Sequence, residues 1–113
     1  MSPDALKRRR AFIERWMEEN LQFAFELEDA ADEDLAQGYL VITIVEYDGQ
    51  GPDELETYWY DDREACRTEL ESRIFQDAPE GYRYDAVVLD LDEERELGWT
   101  TQQRVLFAGE ETP

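Results

Sequence analysis

Histidine is absent from this chain of 113 residues, and cysteine occurs once, as Cys66. Without histidine, zinc-finger sites and Cys–His nucleophiles are excluded, and so is the usual proton-exchanging side chain near neutral pH. A single cysteine cannot form a disulfide within the chain. No apolar stretch approaches the roughly 20 residues that span a bilayer, and no apolar signal-peptide core follows the N-terminal basic cluster. These absences predict a cytoplasmic protein that makes no contact with a membrane.

Basic residues are also scarce. The chain has 30 acidic and 11 basic residues, which gives a formal net charge of −19. From Trp16 to Asp62, 47 consecutive residues contain fifteen carboxylates and no lysine or arginine; we call this segment the acidic run. Ordinary domains intersperse the two signs, because like charges on one compact body repel each other. The acidic run is therefore the sequence feature that most limits the classes of function this protein can have.

The remaining composition is that of a folded domain. Hydrophobic residues make up 42% of the chain, and they include five Phe, six Tyr and three Trp. This is more apolar material than a disordered acidic chain carries, and the length suffices for one core without disulfides. We expect a single acidic α+β domain over residues 1–108 and a flexible C-terminal tail over residues 109–113.

The first predicted element is a helix that begins after Ser2. Ser2 is a good N-cap, Pro3 suits the first helical position, and Asp4 lies near the positive end of the helix dipole. Apolar residues recur at helical spacing to at least Glu19. Residues 21–28 then fit two structures, because they alternate like a half-buried strand and also extend an apolar helical face. Both a longer helix and an extra strand at 21–28 stay open.

A strand pair is predicted after a short acidic helical turn or loop at 29–37. Tyr39 to Tyr47 is rich in β-branched residues and apolar on both faces, which is typical of a central strand. Residues 48–52 have the composition of a turn. Residues 55–60 return as a second strand.

A second helix is predicted next. Asp61 and Glu64 resemble a capping box with Asp in place of Ser or Thr. The helix should end near Gln76, before a segment that contains proline and glycine. Its apolar stripe consists of Cys66, Leu70 and Ile74.

Two further strands complete the predicted order α-β-β-α-β-β, at 82–91 and 99–107, with a charged turn at 92–98 between them. The economical packing is an antiparallel four-stranded sheet with two helices packed against one face. Trp16 should cover the sheet or the second helix. The expected core residues are Val41, Ile42, Ile44, Leu70, Ile74, Val87, Leu89, Val105 and Phe107.

The acidic run predicts a class of function. Duplex DNA carries roughly one negative charge per 1.7 Å of axis, and proteins that bind it supply matching Arg and Lys residues. A folded acidic surface can occupy such a basic groove and exclude the nucleic acid. We therefore expect a non-enzymatic nucleic-acid (DNA) mimic that inhibits a basic nucleic-acid-binding protein or complex. Phage and plasmid inhibitors of restriction and CRISPR systems form the analogous class, by charge, size and foldedness rather than by a shared motif.

The expected partner-binding residues fall into two acidic groups and one aromatic group. The first acidic group is Glu26, Glu28, Asp29, Asp32, Glu33 and Asp34. The second acidic group is Glu46, Asp48, Asp53, Glu54 and Glu56. A secondary interface is expected at Tyr58, Trp59 and Tyr60, because one side of that strand should pack on the core and leave the other to a partner.

Two alternatives remain for the acidic run. Proteins adapted to molar salt also favour Asp and Glu, since the Debye length there falls to about 3 Å. Such surfaces spread their charge evenly, whereas this chain places four of its eleven basic residues together at positions 7–10. The second alternative is a small interaction or adaptor subunit without mimicry. A monomer and a homodimer are both compatible with the sequence.

No catalytic residue, cofactor or metal site is predicted. Thirty carboxylates always contain some acid pair, so a pair carries no weight for catalysis. Asp90 and Asp92 share one side of the third strand and could bridge a hard cation, but no calcium-loop pattern accompanies them. The basic cluster fans around its helix, so we expect it to pair with the acidic body. Direct nucleic-acid binding is disfavoured by the net charge.

Overall fold

A computed structural model describes residues 1–21, 30–48, 50–100 and 104–108, with the backbone alone at 50–54. No helix within these ranges is long and apolar enough to cross a membrane. The predicted tail at 109–113 lies outside the described residues. The elements are α1 (Pro3–Asn20), α2 (Asp32–Leu35), β1 (Tyr39–Tyr47), β2 (Gln50–Tyr60), α3 (Arg63–Glu69), the π-helix π1 (Leu70–Ile74), β3 (Tyr82–Asp90) and β4 (Arg95–Thr100).

The four strands form one antiparallel sheet in the order β2-β1-β3-β4. β1 pairs with β3 without a break, from Tyr39 opposite Asp90 to Tyr47 opposite Tyr82. We call these two ends of the sheet the Tyr39 end and the Tyr47 end. The predicted α+β class and the central position of the strand from Tyr39 to Tyr47 are confirmed.

The helices cover both faces of the sheet, so the prediction of helices against one face is wrong. Successive side chains of a strand point to opposite faces, and both sets are apolar in β1 and β3. Each face therefore needs its own cover. One core packs α1 on the sheet through Phe12, Ile13, Trp16, Met17, Leu40, Ile42, Val87 and Leu89. The other packs α3 and π1 on the opposite face through Val41, Cys66, Leu70, Ile74, Phe75, Ala86 and Val88.

The predicted core is confirmed at eight of its nine positions, and Trp16 covers the sheet on the α1 face. Ile44 is the exception, because it is half-buried. It lies two residues beyond Ile42 on the same sheet face, towards the Tyr47 end. Its neighbours across the strands are Leu55 and Asp85. A carboxylate neighbour marks the border of the apolar core on that face.

The first helix ends at Asn20, so a continuous helix from Pro3 through residue 28 is wrong. Leu21 follows in an extended conformation, with φ −113° and ψ 142°. The alternative of a strand at 21–28 lies, apart from Leu21, outside the described residues. The start of α1 is as predicted, since the Ser2 hydroxyl accepts a 3.2 Å hydrogen bond from the Ala5 N–H.

β2 begins earlier than predicted, at Gln50 rather than at residue 55. The turn at 48–52 is therefore shorter than its composition indicated. Pro52 lies within β2, which is tolerated because β2 is an edge strand of the sheet and an edge position can lack an N–H donor.

The second helix lacks the predicted capping box. It begins at Arg63 after Asp62, and the described side chains give Asp62 no capping hydrogen bond. The Glu64 carboxylate instead accepts a 2.6 Å hydrogen bond from Arg67 one turn later. An intrahelical ion pair thus takes the carboxylate that a capping box with Asp61 would use.

The last turn of this helix widens into π1. The Phe75 N–H donates to the Leu70 carbonyl, five residues back, at 2.9 Å. This wider turn brings Phe75 into the same core as Leu70 and Ile74. The predicted apolar stripe is confirmed, with one residue added to it.

β4 spans Arg95–Thr100, so it begins four residues before the predicted strand at 99–107. Residues 101–103 of that prediction lie outside the described residues, and residues 105–107 are not in a strand. Its pairing with β3 skips Leu97, which is the extra residue of a β-bulge. Leu97 is buried, and Gly98 beside it has φ +136°. The predicted charged turn at 92–98 is therefore wrong from Arg95 onward, where the bulge breaks the two-residue alternation by which a strand is identified in sequence.

Candidate partner-binding surface

The sheet places the acidic run at both ends of the domain. The link 61–62 lies at the Tyr39 end, because Tyr60 pairs with Tyr39, and α2 enters β1 at the same end. Glu46 and Asp48 lie at the Tyr47 end. β1 has nine residues, so at roughly 3.4 Å per residue the two ends are about 27 Å apart. The run therefore extends along the domain instead of forming one cluster.

Most ion pairs of the described residues involve carboxylates outside the acidic run. Ten of its fifteen carboxylates have described side chains. Among these ten, only Asp32 lies within ion-pair distance of a basic group, at 3.9 Å from Arg10. Other arginines pair with carboxylates elsewhere in the chain: Arg9 with Asp92 at 3.6 Å, Arg67 with Glu64 at 2.6 Å, Arg83 with Asp85 at 3.2 Å, and Arg73 with Glu69.

The first predicted acidic group lies partly in α2. Asp32 and Glu33 are exposed and Asp34 is half-buried, all in the first turn of this helix, where the dipole favours negative charge. Glu26, Glu28 and Asp29 lie outside the described residues.

The carboxylates of the second predicted acidic group differ in exposure and in their contacts. Asp48 is exposed and has a left-handed backbone, with φ 52°. Glu46 is half-buried and lies opposite Arg83 in the register. Glu56 accepts a 2.7 Å hydrogen bond from the Tyr58 hydroxyl. Burial, followed by this hydrogen bond, raises the pKa of Tyr58 to about 12. The side chains of Asp53 and Glu54 are not described.

The predicted aromatic interface on β2 is half-buried at all three positions. Trp59 packs against the α1 core, while Tyr58 and Tyr60 pack against the α3 core. The Arg73 guanidinium lies 5.5 Å from the centre of the Tyr58 ring. These rings join the edge strand to both cores, which reduces the aromatic surface they offer to a partner.

The structure adds an aromatic pair that the sequence did not single out. Tyr47 and Tyr82 have ring centres 4.9 Å apart, and both are exposed, at 46% and 38%. They are far apart in sequence and meet only through the register of β1 with β3. The available signal was that each ends or begins a predicted strand beside a turn.

Two residues of the basic cluster, Arg9 and Arg10, each pair with a carboxylate of the domain as predicted, whereas Lys7 and Arg8 are exposed. Arg9 is only 7% exposed and donates a 2.6 Å hydrogen bond to the Leu35 carbonyl. Arg10 donates to the Ala30 carbonyl at 3.0 Å. Both arginines therefore hold the segment around α2 against α1.

The other chemically interesting groups also have structural roles. The Asp90 carboxylate accepts backbone N–H bonds from Asp92 and Glu93, each at 3.1 Å, and so shapes the β3–β4 turn. Within the described ranges, no group of three or more His, Cys, Asp or Glu residues could hold a metal ion. Burial, and after it the charge of Asp62, raises the pKa of the Cys66 thiol to about 12. A thiol in that state is a poor nucleophile.

Comparison of this chain with protein-family models, with curated protein sequences and with solved structures found no significant match in any of the three.

Proposed function

We propose that the protein is a non-enzymatic acidic binding protein of the cytoplasm that occupies the basic groove of a nucleic-acid-handling protein and inhibits it as a DNA mimic. The observation that carries this proposal is the distribution of ion pairs. Arginine neutralises carboxylates outside the acidic run, whereas in the described part of the run only Asp32 has a basic partner. A domain that needed charge balance alone would spread its arginines over both.

The spacing of the charge suits a groove rather than a point contact. The α2 carboxylates precede β1 and Asp48 follows it. The two ends of β1 are about 27 Å apart, which is the length of roughly eight base pairs. At that separation the two groups of carboxylates are more than a Debye length apart at physiological salt, so each can pair with a different basic residue of a groove. Such a surface attracts a positively charged groove from a distance and raises the association rate.

Catalysis is not part of the proposal. The Cys66 thiol is buried with a raised pKa, and the Tyr58 hydroxyl is bound to Glu56. The chain also lacks histidine. The chemistry that these residues support is recognition by charge.

The proposal is tested by affinity capture from a lysate of the native host, with identification by mass spectrometry. Wild-type protein is compared with a variant that reverses two charges of the run, Glu33→Lys with Asp34→Lys. The control variant, Glu14→Lys with Asp77→Lys, makes the same change in net charge outside the run. Circular dichroism first establishes that both variants are folded.

We expect wild type and control to capture the same basic nucleic-acid-binding protein, and the run variant to lose it. Duplex DNA or RNA added to the resin should release the captured protein, because both ligands need the same Arg and Lys residues. Equal loss in the two variants would attribute capture to net charge alone. Capture that survives the run variant and the added nucleic acid would refute mimicry.

A further inference from the structure

The exposed pair of Tyr47 and Tyr82 lies on the sheet face that carries α3, at the Tyr47 end. The two rings touch each other at a ring-centre distance of 4.9 Å and an interplanar angle of 48°. Exposed aromatic side chains of this size are uncommon on an ordinary polar surface and are enriched at the centres of interfaces. The pair therefore has apolar surface to offer that neither of the two cores uses.

The backbone around the pair holds the rings in place before any partner arrives. The Asp48 N–H donates to the Gly81 carbonyl at 2.9 Å, and the Tyr82 N–H donates to the Pro79 carbonyl at 3.1 Å. A Cβ atom at Gly81 would lie 3.0 Å from Cε2 of Tyr47, so the ring rests directly on the glycine backbone. An ordered ring loses little conformational entropy when a partner binds it.

The sign of the surrounding charge identifies the chemistry of the partner. Asp48, directly after Tyr47, and Glu80, directly before Gly81, are both exposed. Asp48 also has φ 52°, a conformation that costs energy for a residue with a side chain. The nearest arginine in sequence, Arg83, alternates to the opposite face of β3 and donates to Asp85 at 3.2 Å. Aromatic faces bordered by carboxylates attract a cation, and they repel an anion.

We infer that the Tyr47–Tyr82 pair is the aromatic anchor of the partner-binding surface, and that it receives an arginine side chain from the basic protein. This inference rests on the proposed function. A guanidinium group is planar, so it can stack on a tyrosine ring while its N–H groups donate to a neighbouring carboxylate. The ammonium group of lysine is more strongly hydrated and gains less from a ring face. The pair therefore makes the surface prefer arginine to lysine, which charge alone does not explain.

The test compares two fluorescein-labelled peptides of equal charge, nona-arginine and nona-lysine, by fluorescence anisotropy in low salt. The variant is Tyr47→Leu with Tyr82→Leu, which removes both rings and keeps apolar bulk. The control is Trp99→Leu, because Trp99 is also 46% exposed. Its ring centre lies 5.7 Å from that of Trp16, and it pairs with Val87, away from the Tyr47 end. We expect the double variant to bind nona-arginine about two- to fivefold more weakly, the size of an exposed cation–π contact. Its affinity for nona-lysine and both affinities of the control should stay within error of wild type.

A second readout locates the contact. In a two-dimensional NMR titration, nona-arginine should shift the backbone amide signals of Asp48 and Gly81 in wild type and shift them less in the double variant. Suppose that wild type binds both peptides and that the double variant still prefers nona-arginine to nona-lysine by the same factor. The assignment of the Tyr47–Tyr82 pair as the anchor is then wrong, and the proposed function stands. If wild type binds neither peptide, both the proposed function and the anchor are wrong.

Discussion

The guanidinium of Arg9 donates a 2.6 Å hydrogen bond to the backbone carbonyl of Leu35, although the two residues are 26 positions apart. Leu35 is fully buried at the end of α2, directly after its three carboxylates. The bond therefore fixes the most acidic turn of the chain against the most basic turn of α1. It also explains how one arginine of the basic cluster can be buried in this protein.

Replacing Arg9 by glutamine should destabilise the fold by about 2 kcal/mol or more, because the buried Leu35 carbonyl would lose its donor. The exposed neighbour Arg8 provides the matched control. Arg8→Gln makes the same charge change on the same helix and should stay within about 0.5 kcal/mol of wild type. Urea unfolding of the three proteins measures the difference. Equal destabilisation by both substitutions would show that helix charge, rather than the bond, is responsible.

The indole of Trp16 donates a 2.7 Å hydrogen bond to the Glu96 carboxylate, which ties α1 to the bulged edge strand. Glu96→Ala should cost on the order of 1–2 kcal/mol, since a hydrogen bond to a charged acceptor is lost. Glu96→Gln keeps an acceptor oxygen and should cost less than half as much. Thermal or urea unfolding compares them, and an equal cost for the two variants would exclude a role for this bond.

Stability should fall at alkaline pH through Cys66. An unfolded cysteine ionises near its ordinary value of 9.0, whereas burial and then Asp62 raise the pKa of this thiol to about 12 in the fold. The folded state therefore holds the proton more tightly, so the contribution is complete below about pH 9 and is lost as pH rises towards 12. Relative to Cys66→Ala, wild type should lose on the order of 2 kcal/mol between about pH 8 and about pH 10.5.

This pH dependence is measured by urea unfolding under reducing conditions at both pH values. Leu70→Ala truncates the same core and keeps the thiol, so it should be less stable than wild type at both pH values but retain the alkaline loss. An unchanged gap between wild type and Cys66→Ala over this range would show that the thiol ionises normally in the fold.

The protein should unfold cooperatively even at about 50 mM salt, which separates a partner-binding surface from adaptation to molar salt. The reason is that each sheet face has a core of buried apolar residues. In addition, arginines form ion pairs with several carboxylates outside the run. Salt should raise the melting temperature modestly by screening the run. Calorimetry at low and at molar salt provides the comparison. A chain that is unfolded at low salt and folds only near molar salt would support the halophilic alternative instead.

Local sequence signals predicted the parts of the fold whose cause is local. Ser2 and Pro3 mark the start of α1, and the β-branched run from Tyr39 to Tyr47 marks the central strand, because caps and strand propensity act over a few residues. The choice of sheet face for each helix depends on tertiary packing. The prediction failed there, even though the apolar residues on both faces of β1 already required two covers.

Other features depend on a single inserted residue or on distant pairing. The extra residue Leu97 shifts the alternation of β4, and the wide turn before Phe75 changes a helical face by one residue. The wide turn has no glycine or proline within it, and the only local signal of the bulge is Gly98 beside Leu97. The charge of the candidate surface was visible in composition alone. Its division between the two sheet ends, and the meeting of Tyr47 with Tyr82, required the strand register.

The most direct test of the central claim is the equilibrium dissociation constant between the protein and the partner captured from its host. It is measured from about 50 to about 500 mM salt, with and without competing duplex DNA or RNA. If the unneutralised carboxylates replace phosphates, the dissociation constant should rise by at least about tenfold over this range. Nucleic acid should then compete for the same site. A dissociation constant that is unchanged by salt and by added nucleic acid would contradict the account and show that apolar contacts dominate the interface.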